Sequence, residues 1–271
     1  MSMLISSQTN PAIKRIRSLR HRKEREQTGL FYAEGIRIVA EAVQVGAAVE
    51  TLVVAPDLLD SPFARRLLEE QRRRGVPVIE VTREVFQSIS GKDGPQGLGA
   101  VIRQRWDAPD TAGQATIRRW VALSAVQDPG NLGAILRTSD AVGFAGVLLI
   151  GPTTDAYDPT CVRASMGAIF SQRLVRMTLD EFATWKRRYG YTLVGTSGAA
   201  PTNYRTVAYR EPVVVYMGSE REGLSAKEQA LCDVMVSIPM VGRSDSLNLA
   251  VATGVMLYEV FHQLKESRAG S

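Results

Sequence analysis

The second half of the chain alternates short apolar runs with helical segments, and this alternation limits the fold more than any other feature. The strand candidates are rich in Val, Leu and Ile, as in WVALSAV, GVLLIG, RLVRM, YTLVGTS, PVVVYMG and VMVSIPMV. Strands without polar alternation are buried on both faces, and the helices between them cover those faces. The pattern therefore predicts an α/β domain on a parallel sheet, with ligand-binding loops beyond the carboxyl ends of its strands.

A second, smaller α/β unit is predicted for residues 1–105. It opens with one long helix, NPAIKRIRSLRHRKEREQTG, in which Ile13, Ile16 and Leu19 form a thin apolar stripe and Gly29 follows the end. Four strand candidates with helices between them follow: LFYAE, VETLVVAP, VPVIEV and GLGAVIRQ. Residues 106–119 have mixed polarity with Pro and Gly and are predicted to be a linker. Residues 120–271 then form the larger domain.

The net charge of +5 lies entirely in the smaller unit. Residues 1–105 hold 17 basic and 12 acidic side chains, whereas the rest of the chain holds 16 of each. Most of these basic residues are arginines, whose planar guanidinium group can form two hydrogen bonds to one phosphate. We predict that the first helix contacts RNA, against the alternative of a solvated charged face. The residues predicted for this contact are Lys14, Arg15, Arg17, Arg20 and Arg22.

Composition excludes several classes of function. The only histidines are His21 and His262, which argues against serine-triad and most metal-hydrolase chemistry. Cys161 and Cys232 are far apart and indicate free thiols in a reducing compartment, with no metal site. No apolar run is long enough to span a membrane, and the N-terminal region turns basic at once, so a cytoplasmic protein is predicted. Neither a GxGxxG nor a P-loop motif occurs in the expected place.

Three loops that follow apolar strands carry the chemistry: DPGNLG (128–133), GSEREGLS (218–225) and PMVGRSDSLN (239–248). In the first, Asn131 is a candidate helix cap, and Arg137 lies further along the helix, where an ion pair with Asp140 is the alternative to a functional role. In the second, Ser225 and Glu228 fit a capping box. In the third, Ser246 and Asn248 lie at the start of the stretch SLNLAVATGVMLY, which lacks charge. An apolar helix there predicts a subunit interface, or a helix enclosed within one chain.

Together the three loops resemble the motifs of the SpoU (TrmH-like) family of RNA ribose 2′-O-methyltransferases, in the SPOUT superfamily. The resemblance covers about residues 120–264, and the N-terminal unit is similar to the family's ribosomal-protein-like substrate-binding domain. It implies a knotted parallel-sheet catalytic domain, an S-adenosylmethionine cofactor and a homodimer packed through the C-terminal domain. The catalytic residues it implies are Asn131, Arg137, Glu220, Ser246 and Asn248. The cofactor-binding residues it implies are Thr196, Gly218, Ile238, Met240 and Leu247.

Arg137 is the residue to which the resemblance gives the central role. Because guanidinium holds its proton tightly, we expect an electrostatic clamp on the target phosphate and the developing alkoxide, and not a base. Arg163, in CVRASMG, also fits a family-like stretch and is predicted to contact RNA or to support the cofactor loop, with a plain surface charge as the alternative.

The resemblance leaves the substrate open. The basic N-terminal unit favours structured RNA, and ribosomal RNA over transfer RNA. A non-catalytic RNA-binding protein that retains the fold and an enzyme that methylates a base are the alternative functions. Neither the target nucleotide, nor the proton acceptor, nor a role in antibiotic resistance follows from the sequence.

Overall fold

The computed structural model describes residues 4–91 and 94–269. By their contacts the residues form two units, the first of Met1–Gln104 with Tyr157–Phe170 and the second of Arg105–Ala156 with Ser171–Ser271. The predicted domains were continuous stretches, whereas the structure assigns Tyr157–Phe170, from the middle of the larger one, to the first unit. The expected linker, 106–119, also belongs to the second unit.

The first unit is built on a four-stranded sheet of order β1-β4-β2-β3. Its strands are β1 (Leu30–Glu34), β2 (Val49–Val54), β3 (Val78–Glu80) and β4 (Leu98–Arg103). Its first five helices are α1 (Pro11–Ser18), α2 (Arg22–Thr28), α3 (Ile36–Gln44), α4 (Pro62–Arg73) and α5 (Arg83–Ile89). β4 runs antiparallel to β1 and β2, while β3 is parallel to β2. Each predicted strand of this unit is present.

The long basic helix predicted at the start of the chain is two helices, so that prediction was wrong. α1 begins after Asn10, whose side chain caps Ala12 N, and buries Ile13 and Ile16 as expected. The helix then breaks at Leu19–His21, because the Arg25 side chain turns back and donates from Nη1 to the carbonyl oxygens of Leu19 (2.9 Å) and Arg20 (2.8 Å). Arg25 is only 1% exposed, and the helical periodicity of the sequence does not predict that this arginine is buried.

Removing the Arg25 side chain is expected to destabilise the protein by about 2–4 kcal/mol, because two carbonyl oxygens and Asp158 lose a buried guanidinium. Chemical denaturation of Arg25→Ala measures the loss. Arg22→Ala is the matched control: its exposed ion pair with Glu26 contributes at most about 0.5 kcal/mol. Equal effects of the two substitutions would contradict this account of the helix break.

The second unit is built on a seven-stranded sheet of order β7-β6-β5-β10-β8-β11-β9. Its strands are β5 (Arg119–Ser124), β6 (Gly146–Ile150), β7 (Arg173–Met177), β8 (Thr192–Thr196), β9 (Thr202–Asn203), β10 (Val213–Met217) and β11 (Val234–Ser237). Its helices are α6 (Pro109–Gly113), α7 (Pro129–Ala141), α10 (Leu179–Tyr189), α11 (Ala226–Leu231) and α12 (Leu249–Ala269), while α8 (Pro159–Ala164) and α9 (Ala168–Ser171) lie in the segment assigned to the first unit.

All six strand pairings of this sheet are parallel, which confirms the predicted architecture. β5, β6 and β10 are buried along almost their whole length, as strands covered by helices on both faces must be. Three details were not predicted from the sequence: helix α6 inside the expected linker, the two-residue strand β9, and a break between α8 and α9 where Met166 and Gly167 have φ values of 51° and 102°. No helix in residues 4–91 and 94–269 is long and apolar enough to cross a bilayer.

Candidate active site

The three loops singled out in the sequence leave the carboxyl ends of β5, β10 and β11. β10 lies directly beside β5, and β8 separates it from β11 on the other side. Because the strands are parallel, the loops all emerge at the same edge of the sheet. Side chains that are far apart in the sequence therefore meet there.

A hydrogen-bonded trio joins the three loops. Asn131 donates from Nδ2 to Glu220 Oε1 (3.2 Å), and its Oδ1 accepts from Asn248 Nδ2 (2.9 Å). Asn248 also caps α12, since its Oδ1 accepts from the backbone nitrogens of Ala250 (2.9 Å) and Val251 (3.3 Å). Asn131 itself does not cap its helix as predicted. Asp128 does, accepting from Asn131 N at 2.8 Å, which leaves the Asn131 amide free for the trio.

Glu220 also fixes the backbone of the first loop. Its carboxylate accepts from the backbone nitrogens of Gln127 and Asp128, each at 3.3 Å. The same loop holds Ala125 at φ 48°, an uncommon conformation for a residue with a side chain. Glu220 is therefore a cross-link between two loops.

A cavity of about 330 Å³ lies beside the trio. Its wall includes all five residues predicted to bind the cofactor, namely Thr196, Gly218, Ile238, Met240 and Leu247, together with Glu220 and Ser246. The mixture of apolar side chains, hydroxyls and loop backbone matches what a nucleoside with an amino-acid tail requires, and the volume lies in the usual range for small-molecule sites. Binding by these residues stays a prediction.

The chain's own backbone requires a glycine at Gly218. A Cβ at this position would lie 2.1 Å from Gly223 C and 2.3 Å from Leu224 N. The close approach is therefore by the chain's own loop, which folds back between Ser219 and Gly223, and not by a ligand.

Cys232 lies nearby. Burial raises the pKa of its thiol to about 12, so this side chain packs as a neutral group against Gly195.

Arg137 does not line the cavity. It is exposed on α7, and no hydrogen bond or ion pair holds it within residues 4–91 and 94–269. The alternative ion pair with Asp140 is not formed: Asp140 accepts instead from Ser171 Oγ (2.6 Å) and Gln172 Nε2 (3.4 Å). The guanidinium is therefore available to a ligand that the chain itself does not provide.

The residues predicted to contact RNA fall into two groups. Lys14 and Arg15 are exposed on α1. Arg17 donates to Ser88 Oγ (2.8 Å), Arg20 donates to the carbonyl oxygens of Ser88 and Ser90, and Arg22 pairs with Glu26. Arg17 and Arg20 therefore also link α1 to the end of α5, whereas the Arg22 pair is local to α2.

Arg163 lies on α8, in the segment that belongs to the first unit, and it is half-buried. It lines a small cavity there with Arg20 and Glu34. Both roles suggested for Arg163, RNA contact and support of the cofactor loop, stay predictions.

Sequence reasoning missed a buried polar cluster beneath the loops. The Glu228 carboxylate, on α11, accepts from the hydroxyls of Ser124 and Tyr216 at one oxygen and from Ser225 N and Oγ (2.7 Å each) at the other. The capping box with Ser225 was predicted correctly. The other contacts link the ends of β5 and β10, and the only hint of them was two hydroxyl residues at the ends of apolar strands.

Glu228 is expected to make the protein sensitive to acid. Burial opposes its ionisation, but the hydrogen bonds from Ser124, Ser225 and Tyr216 outweigh burial and place the pKa of the carboxyl below its ordinary value of 4.5. Its stabilising contribution is thus complete above that value and disappears as the pH falls through the lowered pKa. Glu228→Gln should cost about 1–3 kcal/mol at neutral pH and flatten the acid limb of the stability profile.

Denaturant unfolding over a range of pH measures both effects. Glu222→Gln, at an exposed position in the preceding loop, is the control and should follow the wild type. An unchanged acid limb in Glu228→Gln would show that the cluster does not carry this charge.

Two family profiles match the chain, and their boundaries suit the fold. The SpoU rRNA Methylase family matches residues 118–258, and the MRM3-like substrate binding domain matches residues 10–100. The first match contains all three loops and the hydrogen-bonded trio. The second covers most of the first unit.

Curated relatives and solved structures point to the same family as the two profiles. The 23S rRNA (uridine(2479)-2′-O)-methyltransferase of Streptomyces viridochromogenes is 32% identical, over 93% of this chain and 90% of its own. RlmP of Bacillus subtilis, a 23S rRNA (guanosine(2553)-2′-O)-methyltransferase, is 28% identical, over 94% and 98%. An AdoMet-bound rRNA methyltransferase from Sinorhizobium meliloti superimposes with a TM-score of 0.88 at 38% identity, over 97% and 98%. The chain belongs to the SpoU methylase family.

Proposed function

We propose that this protein transfers a methyl group from S-adenosylmethionine to a ribose 2′-hydroxyl of ribosomal RNA. The observation that carries the proposal is the convergence of Asn131, Glu220 and Asn248, from three separate loops, beside a cavity lined by Ile238, Met240 and Leu247. Shared architecture alone does not determine activity, but this polar trio is the part of the molecule on which ribose chemistry depends.

Some residues of the site would hold the cofactor, and others would orient the target ribose. When bound, S-adenosylmethionine supplies an electrophilic methyl group. Ile238, Met240 and Leu247 provide apolar contact for its adenosine part, and Ser246 faces the same cavity with a hydroxyl. Asn131 and Asn248 hold each other and the first turn of α12, so that the amides keep a fixed orientation toward the ribose.

Arg137 acts on the nucleophile. Its unpaired guanidinium binds the phosphate next to the target ribose and stabilises the negative charge that develops on the 2′-oxygen. The proton leaves to phosphate or water, since an arginine side chain does not accept it at neutral pH. The trio and Arg137 therefore have complementary roles. The trio positions the ribose, and Arg137 stabilises the negative charge on its 2′-oxygen.

Methylation mapping tests the proposal. Ribosomal RNA from cells with and without this protein is compared for ribose 2′-O-methylation, and the missing site is then restored in vitro with purified protein and labelled S-adenosylmethionine. Restoration on the 2′-oxygen is expected. A methylated base would indicate the other class of enzyme, and absence of cofactor binding in a calorimeter would indicate a non-catalytic RNA-binding protein.

Ribosomal RNA is preferred to transfer RNA because of the relatives and the domain arrangement. The two curated relatives described above carry names that specify 23S rRNA, one at a guanosine and one at a uridine. Both match this chain across the N-terminal unit as well as the catalytic one. The base at the target position therefore does not follow from the family and has to be measured.

Replacing Lys14 and Arg15 together by alanine is expected to weaken RNA binding about tenfold or more and to reduce the slope of log K against log salt by roughly 2. Both side chains are exposed on α1 and have no partner in the described part of the chain, so the fold should be unaffected. Filter binding at several salt concentrations measures the change. The exposed pair Arg66 and Arg73 on α4 is the control, and equal losses for the two pairs would contradict a specific role for α1.

We also propose a cytoplasmic homodimer that forms through α12. The helix buries Met256, Leu257 and Val260 in its own unit but leaves Val251 and Tyr258 more than half exposed. Met240 and Leu247 are partly exposed beside it. Exposed apolar side chains in one region favour association. Light scattering should give twice the 29.6 kDa of the chain, and Val251→Glu with Tyr258→Glu should give the monomer. A monomeric wild type would contradict the proposal.

A further inference from the structure

The first unit contains a second, smaller cavity of about 40 Å³ at the carboxyl end of β1. Its wall includes Tyr32 and Glu34 of β1, Arg20 after α1, Gly91 after α5 and Arg163 of α8. Because a water molecule occupies about 10–15 Å³ of such space, the enclosed part has room for about three non-hydrogen atoms. The space suits the edge of a planar group whose ring remains in the mouth.

Glu34 brings a buried carboxylate into this cavity. Its side chain is buried, with 8% exposure, and Oε1 accepts from Gly91 N at 2.9 Å. Oε2 is buried too, but no donor reaches it among residues 4–91 and 94–269. A buried carboxylate oxygen without a donor is costly, and folding alone would favour an uncharged residue at this position. The oxygen is therefore expected to receive an N–H group from outside the chain.

Tyr32 adds a second buried polar atom that has no hydrogen-bond partner in the described part of the chain. Its hydroxyl lies over Gly99 on β4, where a Cβ would stand only 2.2 Å from the hydroxyl oxygen. The glycine thus creates the room in which the phenol reaches this position. Burial raises the pKa of Tyr32 well above its ordinary value, so the group is neutral and both donates and accepts hydrogen bonds.

Two guanidinium groups complete the wall. Arg20 is fixed by its hydrogen bonds to the carbonyl oxygens of Ser88 (3.2 Å) and Ser90 (2.8 Å). Arg163 makes one long contact, to Thr160 Oγ1 at 3.4 Å, and its Nη1 lies 3.2 Å from the Cβ position of Gly91. The cavity therefore presents a carboxylate acceptor and an adjacent strong donor to the same small space.

We propose that this cavity binds the Watson–Crick edge of an unpaired guanine in the substrate RNA. Guanine presents two adjacent N–H donors, at N1 and N2, next to the O6 acceptor, which matches a cavity wall that holds both the Glu34 Oε2 acceptor and the Arg163 guanidinium. Uracil flanks its single donor with acceptors, and cytosine and adenine place an acceptor where N1–H of guanine donates. Reading of splayed bases by such edges is the usual basis of sequence-specific RNA recognition. The inference rests on the proposed function, in which the first unit binds RNA.

The test uses full-length protein and short, uridine-rich single-stranded oligoribonucleotides. One carries a single guanosine, a second carries inosine at that place, and a third carries only uridine; fluorescence anisotropy gives each affinity. Wild-type protein should prefer the guanosine RNA about five- to a hundredfold, the range of one good base-edge contact. Inosine lacks the N2 amino group and should lose part of that preference.

Glu34→Gln should remove the preference while leaving thermal stability equal or higher. The amide oxygen can still accept from Gly91 N, and the buried charge is gone. Arg163→Lys is a second variant that keeps the charge without the fork and should weaken the same preference. Glu69→Gln, at an exposed position on α4, is the control and should retain it.

Two outcomes would overturn the inference: a wild type that does not distinguish guanosine from uridine, which would mean that the cavity holds only water, or a Glu34→Gln variant that melts earlier and still prefers guanosine. Failure of the proposed function is distinguishable, because ribosomal RNA would then gain no ribose methylation from this protein in the mapping experiment, whatever its preference for guanosine in the anisotropy measurements.

Discussion

Replacing Arg137 with alanine is expected to slow methyl transfer about a hundred- to a thousandfold while S-adenosylmethionine binding stays at its wild-type affinity. The side chain is exposed, lies outside the cofactor cavity and has no partner in the described residues, so neither the fold nor the cofactor depends on it. The loss should therefore appear only when RNA is present. Single-turnover kinetics with ribosomal RNA and calorimetry with the cofactor separate the two readouts.

Arg137→Lys refines the same experiment. Lysine keeps the charge but loses the two-pronged geometry, so activity should fall at least about tenfold if a bidentate phosphate contact is made. Arg187→Ala, at an exposed position on α10, is the control and should be indistinguishable from wild type in both measurements. Full turnover by Arg137→Lys would refute the bidentate clamp, and full turnover by Arg137→Ala would remove Arg137 from the mechanism.

Replacing Gly218 with alanine is expected to abolish measurable cofactor binding and to destabilise the protein by about 1–3 kcal/mol. The added Cβ would stand 2.1 Å from Gly223 C, and since the neighbouring atoms are backbone, the whole loop has to move. That loop carries Glu220, which holds Asn131 and the backbone of the first loop, so the displacement reaches the polar trio as well. Calorimetry with S-adenosylmethionine and thermal unfolding measure the two losses.

Gly242 provides the matched control for Gly218. It belongs to the third loop, does not line the cavity, and an added Cβ there meets no atom within 4 Å. Gly242→Ala should therefore bind cofactor almost as tightly as the wild type. If Gly218→Ala did the same, the cavity described above would not be the cofactor site.

The repeating parts of the fold were predictable because their causes are local. Valine-rich strands such as β10 and the apolar stripe of α1 are set by the residues themselves, and their identification from sequence was correct. The break between α1 and α2 was not, because it depends on Arg25, whose buried guanidinium satisfies carbonyl oxygens several residues away. Propensity gives no information on where a long side chain folds back.

The site shows the same division. The three loops and their meeting point followed from strand order and from the family resemblance. Asp128 caps α7 three residues before Asn131, and Gly223 crowds Gly218 within one loop, so these two details depended on the exact loop conformation, which the residue pattern does not give. The contacts of Glu220 with Asn131 and of Glu228 with Ser124 join positions 89 and 104 residues apart in the chain, and residue patterns do not predict such pairings. The chain knot and the role of each site residue stay predictions.

The assignment of Tyr157–Phe170 to the first unit has a consequence for dissecting the protein. The ring of Phe31 on β1 lies 4.7 Å from that of Tyr157 and 6.2 Å from that of Phe170, so part of the aromatic packing of the N-terminal unit is encoded more than a hundred residues downstream. The polypeptide passes between the units three times, near residues 104, 156 and 170. Expressing the two halves separately, divided at the expected linker, would leave the N-terminal fragment without Tyr157 and Phe170. The C-terminal fragment would carry these two rings without Phe31, so we expect neither fragment to fold well on its own.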